Sequence, residues 1–345
     1  MRTCTQLTYF SMSPKTINIK SSNKKIAIFA SFFIVFLIIC MVLQPNLCIK
    51  SIYGGLSVWA KCIVPSLLPF MFFTKLLTSL NFVSNLTKKT YKINKFLFNA
   101  PKISSYIFLM SIISGYPVGA KLISEYHKMG VISNRQANKL CTFCSTSGPL
   151  FIIGSVGTAM FLDAKLGYIM FAAHVFGAIL NGILYRKAFV DNTEIEMPKT
   201  QTVQNMLQAS MQDSILSVLV VGGFIAISFL VIEMFLYYNL LYPFQFLIEK
   251  VLSAFGVQEA TNSVVCGILE VSKGTILLSQ LSMQKKLIST FASFLIGFGG
   301  LSVFLQAAAF LKSANINLKF YILQKITHGI FSAAICFALC SIFGI

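Results

Sequence analysis

Four short stretches of this chain place polar or helix-breaking residues inside long apolar runs, and each could hold a small solute. They are residues 114–120, 145–149, 270–274 and 297–300. Gly and Pro free backbone N–H and C=O groups from helical hydrogen bonds, and such groups persist at membrane depth only where they are buried in protein or line a wet cavity. Broken helices of this kind grip substrates in many transporters.

The candidate substrate-binding residues all lie in or beside these breaks and offer backbone, hydroxyl, ring or charged groups. They are Ser114, Gly115, Tyr116, Pro117, Gly119, Lys121, Ser145, Ser147, Gly148, Pro149, Glu270, Ser272, Lys273 and Gly299. Half-helix N-termini present free N–H groups that suit carboxylate or phosphate. Lys121 and Lys273 would add positive charge, although either side chain could instead reach the membrane interface.

Glu270 needs a partner if it lies at membrane depth. Lys273, three residues further on, could pair with it on one helix face, and the alternative is binding of a substrate or a coupling ion. His174 and His328 lie 154 residues apart, and we expect them to be packing residues that are hydrogen-bonded within a helix bundle.

Composition defines the class of protein that these breaks belong to. The 345 residues are 56% hydrophobic and 11% charged, with a mean hydropathy of +0.77, which excludes an ordinary soluble domain. The net charge of +18 lies in short loops between apolar runs, so it indicates membrane orientation and not nucleic-acid binding. No arrangement of residues predicts an enzyme, a metal site or a cofactor.

The apolar runs predict seven crossings, at residues 26–43, 56–80, 139–162, 166–185, 215–235, 287–311 and 320–343. The third and sixth crossings contain two of the breaks, and the fifth is expected to break at Gly222 and Gly223. Two further apolar segments, 106–125 and 264–281, are predicted to be re-entrant hairpins. Residues 85–102 and 237–255 are expected to be amphipathic pieces at the interface.

Corresponding features of the two halves recur about 154 residues apart, which predicts an internal repeat. Residues 1–50 hold the basic N-terminus and an uncleaved first span, 51–189 the first repeat, 190–212 a polar cytoplasmic linker, and 213–345 the second repeat. Each repeat has three spans and one hairpin, and the odd number of spans inverts the second repeat. The predicted fold is therefore an all-α polytopic membrane protein with an inverted repeat.

Lysine and arginine distribution predicts the orientation. With the N-terminus inside, 20 basic residues face the cytoplasm and seven face outward, and Lys75 is left unassigned. This count places Lys325 in a cytoplasmic loop. Lys75 lies near a span end, where snorkelling of its side chain to the interface explains it. The excess predicts a cytoplasmic N-terminus and an external C-terminus.

Two motifs resemble the YlbJ family of sporulation integral membrane proteins. They are Ser-Gly-Tyr-Pro-Val-Gly-Ala-Lys at residues 114–121 and Ser-Gly-Pro-Leu-Phe-Ile-Ile-Gly at residues 147–154. The resemblance implies a nucleoside-recognition Gate domain, with an architecture similar to concentrative nucleoside transporters. It points to the two motifs and to Glu270 as the site. An asparagine expected near Cys144 and Ser145 is absent.

The resemblance further implies transport of dipicolinic acid across the outer forespore membrane of a spore-forming bacterium. A small aromatic dianion suits half-helix N-termini, lysines and a ring such as that of Tyr116. The alternatives are a cation-coupled transporter of nucleosides or other small solutes, and a non-transporting scaffold in spore assembly. The expected partners are a small-molecule anion, membrane lipid and possibly a second copy of the chain, but no nucleic acid.

Overall fold

The computed structural model describes residues 24–78, 82–191, 193 and 206–345, and every regular element among them is helical. The chain divides into two compact units, Met1–Asn46 and Leu47–Ile345. In the first unit, helix α1 (Lys24–Leu43) covers the whole of the predicted first span. The basic residues predicted before it, up to residue 23, lie outside the described residues.

The second unit contains the remaining helices. In chain order they are α2 (Pro45–Val58, whose first residues belong to the preceding unit), a π-helical turn (Trp59–Ile63), α3 (Val64–Thr78), α4 (Phe82–Phe98), α5 (Ser104–Ser114), α6 (Val118–Lys128), α7 (Asn134–Cys141), a π-helical segment (Leu150–Met160), α8 (Ala164–Leu184), α9 (Met206–Tyr237), α10 (Tyr242–Ser253), α11 (Thr261–Leu269), α12 (Val271–Ser279), α13 (Lys285–Phe298), α14 (Gly300–Leu311) and α15 (Leu318–Ile342).

Five helical runs among the described residues are long and apolar enough to cross a membrane: Pro45–Leu77, Ala164–Leu184, Leu207–Tyr237, Lys285–Leu311 and Leu318–Ile342. They match five of the seven predicted crossings. The other two crossings appear as shorter apolar helices, Ala30–Leu43 and Leu150–Met160. The chain is an all-α polytopic membrane protein, and the inverted repeat stays a prediction.

Both predicted hairpins are pairs of short helices. In the first, α5 and α6 have 11 residues each, and in the second, α11 and α12 have nine each. At 1.5 Å per residue these helices are only about 14–17 Å long, whereas a hydrocarbon core is about 30 Å thick. Neither helix of a pair could therefore cross on its own.

The prediction of a break at Gly222 and Gly223 is wrong, because α9 runs through both residues without interruption. Gly222 instead provides room for a ring. The indole of Trp59 lies against it, and Trp59 Nε1 donates a hydrogen bond to the carbonyl oxygen of Val218 at 2.9 Å. A Cβ added at Gly222 would lie 2.7 Å from the indole, whereas one added at Gly223 would meet nothing within 4 Å.

Helices α8 and α15 cross closely at the two histidines. The rings of His174 and His328 are 4.6 Å apart between centroids, and His328 Nε2 donates to the carbonyl oxygen of His174 at 3.1 Å. His174 Nε2 in turn accepts a hydrogen bond from the backbone N–H of Ser147 at 2.8 Å. Both histidines are buried, hydrogen-bonded packing residues, as expected.

Candidate functional site

The first break separates α5 from α6 at Gly115, Tyr116 and Pro117. Gly115 has φ of +79°, a conformation that favours glycine, and the Tyr116–Pro117 peptide bond is cis. Ser114, the last residue of α5, is buried, and its hydroxyl is hydrogen-bonded to that of Thr74 at 2.8 Å. The local sequence therefore ends one helix and starts the next within three residues.

The second break, between α7 and the π-helical segment, packs directly on the first. A Cβ added at Gly115 would lie 2.4 Å from the backbone nitrogen of Gly148, and one added at Gly119 would lie 1.8 Å from the carbonyl oxygen of Cys144. The two backbones are thus in contact, and only glycine fits at these positions.

Side chains satisfy some of the backbone groups that this second break frees. Ser111 Oγ donates to the carbonyl oxygen of Cys144 at 2.7 Å and accepts from the backbone N–H of Thr146 at 3.2 Å. The carbonyl oxygen of Ser145 accepts a hydrogen bond from Lys325 Nζ at 3.0 Å. Buried backbone groups outside a helix need such partners, so these contacts hold the broken segment in a defined shape.

The third break is a single extended residue, Glu270, between α11 and α12. Its side chain is buried, and Oε1 accepts a hydrogen bond from the backbone N–H of Ser272 at 3.0 Å. The Ser302 hydroxyl interacts with the carboxyl group, but Oε2 has no hydrogen bond of ordinary geometry to any described residue. A buried oxygen without a partner is uncommon, and it requires a proton, a cation, water or a ligand.

The fourth break is Gly299, which has φ of +88° between α13 and α14. It lies beside the first break, because a Cβ added there would be 3.5 Å from Tyr116 Cζ. The Tyr116 hydroxyl also lies 3.4 Å from the carbonyl oxygen of Ile296, near the end of α13, and donates a hydrogen bond to it. Tyr116 therefore connects breaks that belong to different halves of the chain.

A cavity, which we call the central cavity, lies where these breaks meet. It encloses about 590 Å³ of space, including the part that is open at its mouth. The first two breaks contribute Ser114, Gly115, Tyr116, Ser147 and Gly148, and the third contributes Glu270 and Ser272. The remaining wall is mostly apolar and comes from several elements, with Leu67 from α3 and Val221 and Ile225 from α9.

The structure thus brings seven of the predicted site residues to one cavity. Five others lie in the same breaks without lining it: Pro117, Gly119, Ser145, Pro149 and Gly299. Gln306 was not predicted; it lines the cavity from α14 and is nearly fully buried. Gln306 supplies a side-chain amide to the cavity. The asparagine expected near Ser145 is absent.

Lys121 and Lys273 do not line the central cavity. Lys121 Nζ donates to Ser217 Oγ on α9 at 2.8 Å. Lys273 forms an ion pair with Glu233, also on α9, so of the two alternatives for Glu270 the pairing with Lys273 is not the one found. The carboxyl group of Glu270 is therefore left without that cation.

The interpretation of Lys75 as a snorkelling residue is also wrong. Its ammonium group lies 2.6 Å from Glu125 Oε1 on α6 and 3.3 Å from Asp213 Oδ2 on α9. These contacts connect α3, the first hairpin and α9 near one end of the bundle. Lys273, in the second hairpin, makes its ion pair with Glu233 near the other end of α9.

Lys325 is the residue that the sequence analysis placed least well. It was counted with the loop lysines, yet only 3% of it is exposed, which reduces the cytoplasmic count from 20 to 19. Its Nζ donates to the Tyr116 hydroxyl and to the carbonyl oxygen of Ser145. The sequence did indicate this burial, because Lys325 lies five residues inside the predicted span that begins at residue 320.

Comparisons with known proteins place this geometry in context. No family model matches the chain, and no solved structure matches it. The chain is 25% identical over 327 residues to the sporulation integral membrane protein YlbJ of Bacillus subtilis (strain 168), and the alignment covers 88% of this chain and 80% of that protein. The resemblance that the two motifs indicated is thus supported along most of the chain.

Proposed function

We propose that this protein is a carrier that acts in sporulation and moves a small carboxylate, dipicolinate, across the outer forespore membrane. The observation that carries the proposal is the central cavity, which is lined by residues of the chain breaks and by Glu270, whose buried Oε2 has no hydrogen bond of ordinary geometry to a described residue. The similarity to YlbJ supports the role in sporulation. The substrate and the membrane are those that the motif resemblance implies.

The close backbone contacts favour a carrier over a scaffold. Glycines at positions 115, 119 and 148 let two broken segments touch inside an apolar bundle. A scaffold needs only continuous helices with complementary faces, whereas a carrier needs polar backbone and side chains around a cavity. The breaks therefore have a physical reason to exist in a carrier that they lack in a scaffold.

Glu270 constrains how a dianion could bind. Two like charges about 5 Å apart repel by about 3 kcal/mol at an effective dielectric constant of about 20. Dipicolinate would therefore bind best when Glu270 is protonated, and the proton would travel with the substrate. Coupled uptake of a proton and dipicolinate is the expected mode.

A second candidate, a nucleoside carrier, is favoured by the groups that line the cavity. Glu270, Gln306 and the serines offer acceptors and neutral donors, while Lys121 and Lys273 lie elsewhere. Neutral donors and acceptors suit a sugar and a base better than they suit a dianion.

Uptake into vesicles that contain the purified protein separates these possibilities. We expect labelled dipicolinate to enter faster than labelled uridine, and an inward proton gradient to accelerate its entry. Glu270→Gln should abolish the effect of the gradient, and the matched control Glu249→Gln, at an exposed position of α10, should not. Entry of uridine alone would favour the nucleoside carrier, and entry of neither solute would favour the scaffold.

A further inference from the structure

Lys325 is a lysine of α15 that is buried in the protein, against Tyr116 and Ser145 of the first two breaks. No carboxylate of the described residues forms an ion pair with it, whereas Lys75 and Lys273 have such partners. Lys139 is also buried without a carboxylate, but its Nζ donates to three backbone carbonyl oxygens, against one for Lys325. Burying an ammonium group without a counter-ion costs several kcal/mol, and ionisable residues inside membrane helices are commonly functional. The position of Lys325 therefore requires an explanation beyond helix packing.

The ammonium group of Lys325 is only partly satisfied by the protein. It has three N–H donors, and among the described residues its acceptors are the Tyr116 hydroxyl and the Ser145 carbonyl oxygen. Its Nζ also lies 4.5 Å from the centroid of the Tyr116 ring. The third donor has no acceptor among the described residues.

Lys325 stands between two cavities. Tyr116, which it contacts, lines the central cavity, and Lys325 itself lines a second one, which we call the aromatic cavity. Val303 lines both cavities and so marks where they adjoin. The other residues of the aromatic cavity are Phe298, Leu301, Phe304, Tyr321 and Ile322.

The lining of the aromatic cavity indicates what it could hold. Three of its side chains carry rings, and those of Phe304 and Tyr321 are 5.7 Å apart between centroids. The Tyr321 hydroxyl is already hydrogen-bonded to Ser145 Oγ at 2.7 Å. Lys325 is the other polar side chain of this lining, and it has a donor to spare after its bonds to Tyr116 and Ser145. An aromatic ring with a carboxylate at its edge matches such a lining, because rings pack on rings and a carboxylate accepts from an ammonium group.

We propose that Lys325 pairs with the carboxylate of a small aromatic acid whose ring occupies the aromatic cavity. This inference rests on the proposed function, because it assigns the positive charge that an anionic substrate needs and that Lys121 and Lys273 do not provide. Lys325 then determines the preference for an anion over a neutral solute. Tyr116 orients the ammonium group toward the ligand.

Binding measurements on the full-length protein in phosphatidylcholine nanodiscs test this assignment. The probes are dipicolinate and its neutral diamide, which has the same ring and nearly the same shape, and each is titrated by calorimetry. Lys325→Gln should weaken dipicolinate binding about tenfold to a hundredfold and leave binding of the diamide unchanged. Lys325→Arg should retain most of the preference for the anion, and Lys319→Gln, at an exposed position of the same helix, should change neither affinity.

The outcomes separate this inference from the proposed function. Equal loss for both probes, or no loss for either, overturns the role of Lys325, as does a wild-type protein that binds neither. Transport of dipicolinate with unchanged affinity in Lys325→Gln would leave the carrier standing and refute the inference. Binding that depends on Lys325 without any transport would support the inference and refute the carrier. Competition by oleate stronger than by dipicolinate would assign the site to a lipid carboxylate and also overturn the inference.

Lys325→Gln is also expected to fold. Gln can still donate a hydrogen bond to the Ser145 carbonyl oxygen and has no charge to bury, so the unfolding midpoint should stay near that of the wild-type protein. A structural role for the ammonium group would lower the midpoint and weaken both probes together.

Discussion

Replacing Gly222 with alanine should destabilise the protein, whereas the same change at the next residue should not. A Cβ at Gly222 would lie 2.7 Å from the ring of Trp59, about 1 Å closer than an ordinary carbon contact. Overpacking of this size costs about 1–3 kcal/mol. Alanine in a helix interior gains about 0.5–1 kcal/mol over glycine, and that gain is common to both positions. Gly222→Ala should therefore be less stable than Gly223→Ala by about 1–3 kcal/mol.

Trp59 makes this comparison measurable, because it is the single tryptophan of the chain. Unfolding in increasing dodecyl sulfate can be followed by its fluorescence for both variants and the wild-type protein. The emission spectrum of the folded state should shift in Gly222→Ala alone, because only that variant displaces the indole from the carbonyl oxygen of Val218. Equal midpoints and equal spectra for the two variants would show that Trp59 does not pack on α9 in this way.

Three further predictions concern the breaks and the ion pairs. Gly119→Ala should lower the stability of the protein by about 1–3 kcal/mol and abolish solute binding, because its Cβ would lie 1.8 Å from a carbonyl oxygen of the second break. Gly154→Ala is the control, because its Cβ would have no neighbour nearer than 3.8 Å. Equal solute binding by the two variants would contradict the backbone contact. A double-mutant cycle with Lys273→Met and Glu233→Met should give a coupling of about 0.5–3 kcal/mol, and additive effects would show that the ion pair contributes nothing. A hydrogen bond from a lysine at the start of α13 lowers the pKa of Asp163. The ionised carboxylate should therefore stabilise the folded protein above about pH 4, and this stabilisation should be lost as the pH falls through the lowered pKa. Asp163→Asn should remove this part of the dependence of stability on pH, and an unchanged dependence at acid pH would refute the prediction.

The positions of the breaks could be predicted because the signals are local. Gly115 and Pro117 interrupt α5 and α6 through their own backbone preferences, and Gly299 ends α13 in the same way. Glu270 interrupts the second hairpin as expected, with its carboxylate on the N–H of Ser272. These preferences of neighbouring residues mark where a break can form.

The effect of a glycine pair depends on what packs against it, which the sequence does not show. Gly222 and Gly223 predicted a break by the same rule that succeeded elsewhere, yet the ring of Trp59, more than 150 residues away, explains Gly222 within a continuous helix. A glycine can free the backbone or admit a neighbouring side chain. Only the tertiary contact distinguishes the two.

Charge pairing could not be predicted for the same reason. Lys273 has Glu270 near it in sequence but Glu233 near it in space, 40 residues away. Lys325 was assigned to a loop because charge counting assumes that a lysine near a span end lies in water. Its place inside the predicted span indicated burial, but no pattern near residue 325 indicates its partners, Tyr116 and Ser145 of the other half.

The continuity of α9 has a mechanical consequence. Its 32 residues make a rod about 48 Å long, and Asp213 and Glu233, about 30 Å apart on it, contact lysines at opposite ends of the bundle. A rod without a hinge moves as a lever, so a tilt about its middle displaces the two acidic residues in opposite directions. The two hairpins therefore contact the same continuous helix through their ion pairs, so a tilt of α9 would have to break or carry along both contacts.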